Sequence, residues 1–300
     1  MTPLLPGLRG AASLLFKLEY LMPSGSFKDR GSAMLINALA RLGVREIVED
    51  SSGNAGASIA CYAARAGLDC QVYTPESASG GKLAQIVAHG AELVRVPGPR
   101  DRTAEAVREA ATKRFYASHN WQPLFVEGVK TLGWEIWEQL GFSAPDAIVL
   151  PVGLGSSLLG CFYAFRSLRE AGEIERIPRL VVAQSEVCAP IHAAASIGAD
   201  DIPAVDCGPS IAEGVSTSRP IRRREILEAI RGSGGMTGVA NDAEIVAAGK
   251  ELAAQGLYVE PTAALAYAVA KKLLGRGLLD AHHRNVVVLT GSGLKQSVAA

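Results

Sequence analysis

Ala147-Ile-Val-Leu-Pro-Val-Gly-Leu-Gly-Ser-Ser157 joins an unbroken apolar run to a glycine–serine turn, and residues at helical spacing follow as far as Ala171. A short apolar run without polar alternation reads as a strand covered on both faces, the habit of parallel strands flanked by helices. Val286-Val-Val-Leu289 repeats the pattern and also runs into a glycine-bearing loop. In open α/β sheets, ligands bind beyond the carboxyl ends of such strands. The two turns are therefore the first places to look for a site.

Working outward, the same alternation covers most of the chain. Strands are expected at Glu46–Asp50, Cys70–Thr74, Glu92–Val96, Ala147–Pro151, Leu180–Gln184 and Asn285–Thr290. Helices are expected at Ala55–Ala66, Lys82–His89, Thr103–Phe115, Glu127–Gln139, Ser157–Ala171, Asp242–Ala254 and Thr262–Leu274. Alternating βα units predict an α/β fold with mostly parallel sheets and helices on both faces. Ile202–Pro220 lacks periodicity and holds three prolines, so it reads as a long loop of the functional kind.

The chain has 300 residues, more than one hydrophobic core usually supports, so two domains are expected. Its 48% hydrophobic and 20% charged residues suit a globular chain and exclude a disordered or fibrous one. Thirty basic residues balance thirty acidic ones, which removes the simplest case for nucleic acid or an anionic membrane as partner. A small molecule becomes the expected ligand. The five cysteines are scattered, with no CxxC pair, and the odd count speaks against a disulfide framework and for a reducing, cytoplasmic setting. Neither a signal-peptide pattern nor a long apolar run is present.

Four short segments carry candidate chemistry. In Pro23-Ser-Gly-Ser-Phe-Lys-Asp-Arg30, Lys28 sits just before the helical stretch Ser32–Leu42. A cation is disfavoured at the positive end of a helix dipole, so that environment would lower the lysine pKa and suit an imine-forming amine. Ser51-Ser-Gly-Asn-Ala-Gly56 lies between a strand and a helix, where hydroxyls and backbone N–H groups make either an anion site or a ligand-free N-cap. Gly153-Leu-Gly-Ser-Ser157 repeats the device in the manner of a phosphate cup, without the Lys-Ser/Thr of a P-loop or the third glycine of a dinucleotide fingerprint. Leu289-Thr-Gly-Ser-Gly-Leu-Lys295 ends a buried strand in hydroxyls, one of which could face a pyridine nitrogen.

Together and in this order, the segments resemble the tryptophan-synthase-β-type (fold type II) family of pyridoxal-phosphate (PLP) enzymes, and most closely its threonine synthases. Lys17-Leu-Glu19, Glu127-Gly-Val-Lys-Thr131, Ile211-Ala-Glu-Gly-Val215 and Glu260-Pro-Thr262 extend the likeness along nearly the whole chain. The resemblance implies two doubly wound domains, residues 1–32 with 120–300 and residues 33–119, with PLP in the cleft between them. It implies a Schiff base on Lys28 with Phe27 packed beside it, and Asn54 on the ring hydroxyl. Gly153, Leu154, Gly155, Ser156 and Ser157 would hold the phosphate, and Thr290 would meet the ring nitrogen. Ser51, Ser52 and the backbone at Ala55 would hold the substrate carboxylate, and the family's habit is a homodimer.

The activity so implied is a PLP-dependent lyase that eliminates or replaces at the β or γ carbon of an amino acid. The chain departs from threonine synthases at Asn120-Trp-Gln-Pro-Leu-Phe125, where Gln122 and Phe125 replace an asparagine and an arginine that help hold a substrate phosphate. Losing a bidentate cation disfavours a phosphorylated substrate and raises a threonine or serine dehydratase as the alternative. A catalytically silent binding protein on the same fold is a further alternative. Arg222-Arg-Arg224, the pair His282-His283, His119, Trp134 and Trp137 read as structural, and no metal site is expected. Glu213 is expected near the cofactor by the resemblance, and Glu260 as a helix cap.

Overall fold

A computed structural model describes residues 1–8, 13–78, 80–98 and 100–295; the side chains of residues 100 and 101 are not described. The chain divides into two compact units, Met1–Leu21 with Val129–Gly293, and Met22–Gly128 with the segment that begins at Leu294. No helix among the described residues is long and apolar enough to cross a membrane.

The larger unit is built on a mostly parallel sheet. Among its described residues β1 (Leu4–Pro6), β2 (Leu14–Lys17), β7 (Ala147–Pro151), β8 (Arg179–Ser185), β9 (Met236–Ala240) and β10 (Asn285–Val288) lie in the order β1-β2-β10-β7-β8-β9. Of the strand pairs among the described residues of this sheet, β1–β2 is antiparallel and the others are parallel. Every residue of β7 and β10 is buried. Successive side chains of a strand point to opposite faces, so full burial requires a covering layer on both. The helices of this unit are α6 (Ser156–Glu170), α7 (Pro190–Ser196), α8 (Arg223–Gly232), α9 (Asp242–Ala253) and α10 (Pro261–Gly275). The alanine-rich α10 is buried along most of its length, and Tyr267 meets Phe16 of β2 edge to face at 5.5 Å.

The smaller unit carries a parallel sheet, β5-β4-β3-β6, from β3 (Glu46–Glu49), β4 (Asp69–Pro75), β5 (Glu92–Val96) and β6 (Phe115–Tyr116). Its helices are α1 (Lys28–Arg41), α2 (Asn54–Ala66), α3 (Gly81–Ala88) and α4 (Arg100–Ala110). The partition falls inside α5 (Pro123–Gln139), at Gly128.

These boundaries differ from 1–32 with 120–300 and 33–119. Residues 22–32 belong to the smaller unit because α1 packs on α2. Phe125, at the start of α5, packs on α1 at Gly31, where a β-carbon would stand 2.5 Å from its ring. A second correction concerns the cysteines. Cys188 and Cys207 are joined in a disulfide, and Cys61, Cys70 and Cys161 are not disulfide-bonded. One pair drawn from five cysteines leaves an odd number, so the count carried no information about it.

Lys17 ends β2 with no accessible surface, and its Nζ donates to the Thr2 carbonyl at 2.8 Å, Glu135 Oε2 at 2.9 Å and Gln139 Oε1 at 2.7 Å. A buried cation is tolerable only when its protons are all received. Lys17→Met leaves those acceptors facing an apolar side chain and should destabilise the protein by about 3 kcal/mol; the midpoint of urea unfolding checks this.

Candidate functional site

The site residues fall into two groups, one in each unit. In the smaller unit, Lys28 is the first residue of α1, and Phe27 at the N-cap supplies no side-chain cap. The preceding loop turns at Gly25, whose φ of 80° only glycine adopts readily and whose N–H donates to the Met22 carbonyl at 2.7 Å. The Ser24 amide donates to Asp29 Oδ2 at 2.6 Å and the Ser24 hydroxyl to Asp29 Oδ1. Ser58, on α2, donates to Asp29 Oδ1 at 2.6 Å and lies 2.7 Å from the Ser32 hydroxyl. The Ser24 carbonyl in turn accepts from Lys295 Nζ at 2.7 Å and Gln85 Nε2 at 3.1 Å. The loop that presents Lys28 is thus tied to α1, α2, α3 and the C-terminal segment.

Aromatic rings surround the amine. Lys28 Nζ stands 4.8 Å from the Phe27 ring centroid and 5.8 Å from that of Phe125. Ring faces attract a cation and keep water from it. Phe125 is fully buried and meets His119 edge-on at 5.9 Å, and His119 Nδ1 lies 2.6 Å from Glu49 Oε1. His119 is therefore a satisfied core histidine, as its sequence context suggested.

Ser51, Ser52 and Asn54 are half-buried in the turn from β3 to α2, and Ala55 is buried in the first turn of α2. Gly53 occupies the N-cap without a side-chain cap, and a β-carbon at Gly56 would overlap the Ser51 carbonyl oxygen. The backbone therefore wraps tightly round the helix entrance, where N–H groups point outward. Ser58 is one helical turn past Asn54, so its bond to Asp29 sets the first turns of α1 and α2 side by side. The structure thereby brings Phe27 and Lys28 near the entrance of the helix that carries Asn54 and Ala55.

In the larger unit, Gly153 to Ser157 follow β7 and enter α6. Gly155 is the N-cap, with φ of 92° and no side-chain cap. Ser156 and Ser157 are buried and Leu154 half-buried. A β-carbon on Gly153 would stand 2.9 Å from Val215 Cα, so the loop at Glu213–Val215 lies directly on the turn. That loop is fastened by the Gly214 amide, which donates to Thr262 Oγ1 at 3.1 Å.

Thr290 follows β10 with 2% of its surface exposed, and its Oγ1 is buried with no hydrogen-bond partner among the described residues. A buried hydroxyl left unsatisfied costs about 1–3 kcal/mol, so it marks a position that a ligand atom would complete. Beside it, the Glu260 amide donates to the Gly291 carbonyl at 3.0 Å, and the Glu260 carboxylate packs against Gly291. Glu260 holds the N-cap position of α10, as its place in the sequence suggested, although its carboxylate makes no side-chain capping bond. Asp29, Ser58 and the tie from Lys295 escaped sequence reasoning. Asp29 does stand next to the lysine, but only the fold shows that its carboxylate turns inward.

In each group the N–H groups and hydroxyls at a helix entrance follow a parallel strand and can receive an anion. One group adds an amine between aromatic rings, and the other an unsatisfied hydroxyl. The description "Pyridoxal-phosphate dependent enzyme" matches residues 1–291. The chain is 36% identical over 294 residues to the threonine synthase of Methanocaldococcus jannaschii, covering 97% of this chain and 73% of that protein. Among solved structures, a threonine deaminase from T.th. superposes with a TM-score of 0.79 at 27% identity, covering 93% of this chain and 87% of that one. A fungal L-serine ammonia-lyase from Rhizomucor miehei reaches a TM-score of 0.84 over 99% of this chain and 95% of its own, and at 22% identity that likeness concerns the fold. The chain belongs to the family of pyridoxal-phosphate-dependent enzymes, and its cofactor is PLP.

Burial raises the pKa of Asp29 above its ordinary 3.8, against the opposing pull of the Ser24 and Ser58 hydrogen bonds and the charge of Lys295. A carboxyl that holds its proton more tightly when folded adds stability below pH 3.8, and that contribution is lost as pH rises through the folded pKa. Asp29→Asn removes this titration. The unfolding free energy of the wild type relative to the variant should therefore fall as pH rises above 3.8 and level off once the folded Asp29 has ionised; denaturant titrations over a series of pH values check it.

Proposed function

We propose that this protein is a PLP-dependent lyase acting on an amino acid by elimination or replacement at the β or γ carbon, as the threonine synthases and the dehydratases do. The observation that carries the reading is the Lys28 amine at the start of α1, flanked by the rings of Phe27 and Phe125. The residues present fit the cofactor. The turn Gly153-Leu154-Gly155-Ser156-Ser157 receives its phosphate on N–H groups and hydroxyls. Thr290 offers the ring nitrogen a hydroxyl that otherwise has no partner among the described residues. Asn54 serves the ring hydroxyl, and Ser51, Ser52 and the Ala55 amide serve the substrate carboxylate.

When bound, PLP supplies an electron sink for the charge that develops at the substrate α-carbon. The chain supplies the rest. The Lys28 amine would hold the cofactor, and it would take the substrate α-proton and return protons. The rings of Phe27 and Phe125 would flank that amine. A hydroxyl such as that of Thr290, in place of a carboxylate, would leave the ring nitrogen neutral and would favour elimination over deeper charge delocalisation. A homodimer in the cytoplasm belongs to the same reading.

One observation favours a second reading of the substrate. Phe125 stands buried beside Lys28 where a phosphorylated substrate needs a cation, which directs the site toward threonine or serine and release of ammonia. Incubating the PLP-loaded protein separately with threonine, serine and O-phosphohomoserine distinguishes the readings. Ammonia and a 2-oxo acid should appear from threonine or serine, and Lys28→Ala should lose about a hundred- to ten-thousandfold of that rate. Phosphate and threonine formed from O-phosphohomoserine alone would overturn the reading of Phe125, and no turnover with any of the three would point to a silent binding protein.

A further inference from the structure

Cys188 and Cys207 take no part in the chemistry above, yet they tie down the loop that lies on the Gly153 turn. Cys188 is buried in the tight turn after β8, where its amide donates to the Ser185 carbonyl at 3.0 Å. Cys207 is exposed in the long loop, and the two Cα atoms are 4.5 Å apart, within the range a disulfide spans. The Gly208 amide next to it donates to the Val187 carbonyl at 2.9 Å. Beyond the bridge, Ser210 lies 2.9 Å from the Ser185 hydroxyl and donates to Asp242 Oδ1 at 2.8 Å. Ala212 and Val215 are then buried, and Val215 meets Gly153. The Val205 amide donates to the Ser218 carbonyl at 3.2 Å and closes the loop on itself.

We propose that Cys188–Cys207 is a reversible thiol–disulfide modification site that sets how firmly residues 205–218 hold the Gly153–Ser157 turn. An exposed disulfide is the reducible kind, and in a reducing compartment such pairs act as sensors rather than staples. The reductant is a dithiol. One of its thiolates attacks the exposed Cys207 sulfur, the S–S bond breaks, and Cys188 leaves as a thiolate that takes a proton. The second thiol of the reductant then attacks the mixed disulfide, releasing the Cys207 thiol and an oxidised, cyclic reductant. Two electrons and two protons have moved to the protein pair. Without the bridge, the loop keeps its hydrogen bonds through Ser210, Asp242 and Thr262 but loses its covalent anchor, and closure of the loop costs more conformational entropy.

The consequence for the cofactor rests on the assignment of Gly153–Ser157 to the PLP phosphate. The test uses the full-length protein, air-oxidised or treated with dithiothreitol, with Cys207→Ala as a variant at an exposed position and Cys61→Ser as control. Thiol titration in denaturant should find three thiols before reduction and five after. Reduction should weaken PLP binding, measured by fluorescence titration, by roughly fivefold or more, and should speed proteolysis within residues 205–218. Cys207→Ala should show the weaker binding with or without reductant, while Cys61→Ser should respond as the wild type does. Five thiols before reduction, or unchanged proteolysis and PLP affinity after it, would overturn the proposal. If PLP binds neither form while proteolysis still responds, the redox control of the loop stands and the phosphate assignment fails.

Discussion

A carboxylate with no accessible surface, Asp29, is the constraint on which the placement of Lys28 depends. Isolating a charge from water is unfavourable unless hydrogen bonds receive it, and here the Ser24 amide, the Ser24 hydroxyl and the Ser58 hydroxyl do so. The donors come from two pieces of chain. Ser24 belongs to the loop before the lysine and Ser58 to α2, so one carboxylate holds the loop, the start of α1 and the flank of α2 in register. The neighbouring residue, Lys28, inherits that rigidity. If Lys28 is the amine proposed above, that support matters, because the catalytic value of such a group depends on where it is held.

The second unit solves a different problem with a similar element. A strand buried on both faces ends in a turn whose glycine lets the Glu213–Val215 loop lie directly on it, and the entrance of α6 follows. No charged side chain is needed at that turn for it to favour an anion, since the amide dipoles of the helix point their positive ends there. At the neighbouring strand end, the buried hydroxyl of Thr290 has no hydrogen-bond partner among the described residues, which leaves it open to a ligand atom. Together these features describe one unit that presents an amine and another that presents an anion cradle and a lone hydroxyl.

Much of this is legible in the sequence because the strongest signals are local. The buried strand Ala147–Pro151 and the strand Glu92–Val96 agree to the residue, since apolar runs bounded by turn residues depend little on distant partners. Four strands are not legible. β6 spans two residues, too short for any pattern, and the expected helix Thr103–Phe115 runs over it where α4 stops at Ala110. β1 and β2 are obscured by prolines and by Lys17, a charged residue that acceptors on Thr2, Glu135 and Gln139 make tolerable in the interior. β9, Met-Thr-Gly-Val-Ala, has a weak strand composition and gains its place by pairing with β8. Helix α1 begins four residues ahead of the expected Ser32 because Asp29 and Arg30, which look like surface residues, are buried by tertiary contacts. The same holds for function. The segment bearing Lys28 can be picked out as a candidate from the sequence, whereas the partners of Asp29 and the Cys188–Cys207 bridge are products of chain crossings that no local pattern encodes.

The central claim is that Lys28 is the amine through which the protein holds its cofactor. Reducing the PLP-loaded protein with borohydride and mapping its peptides by mass spectrometry tests it most directly. The account predicts a phosphopyridoxyl group on the peptide containing Lys28 and on no other lysine. The same group on Lys17, Lys82 or Lys295, with Lys28 unmodified, would contradict it.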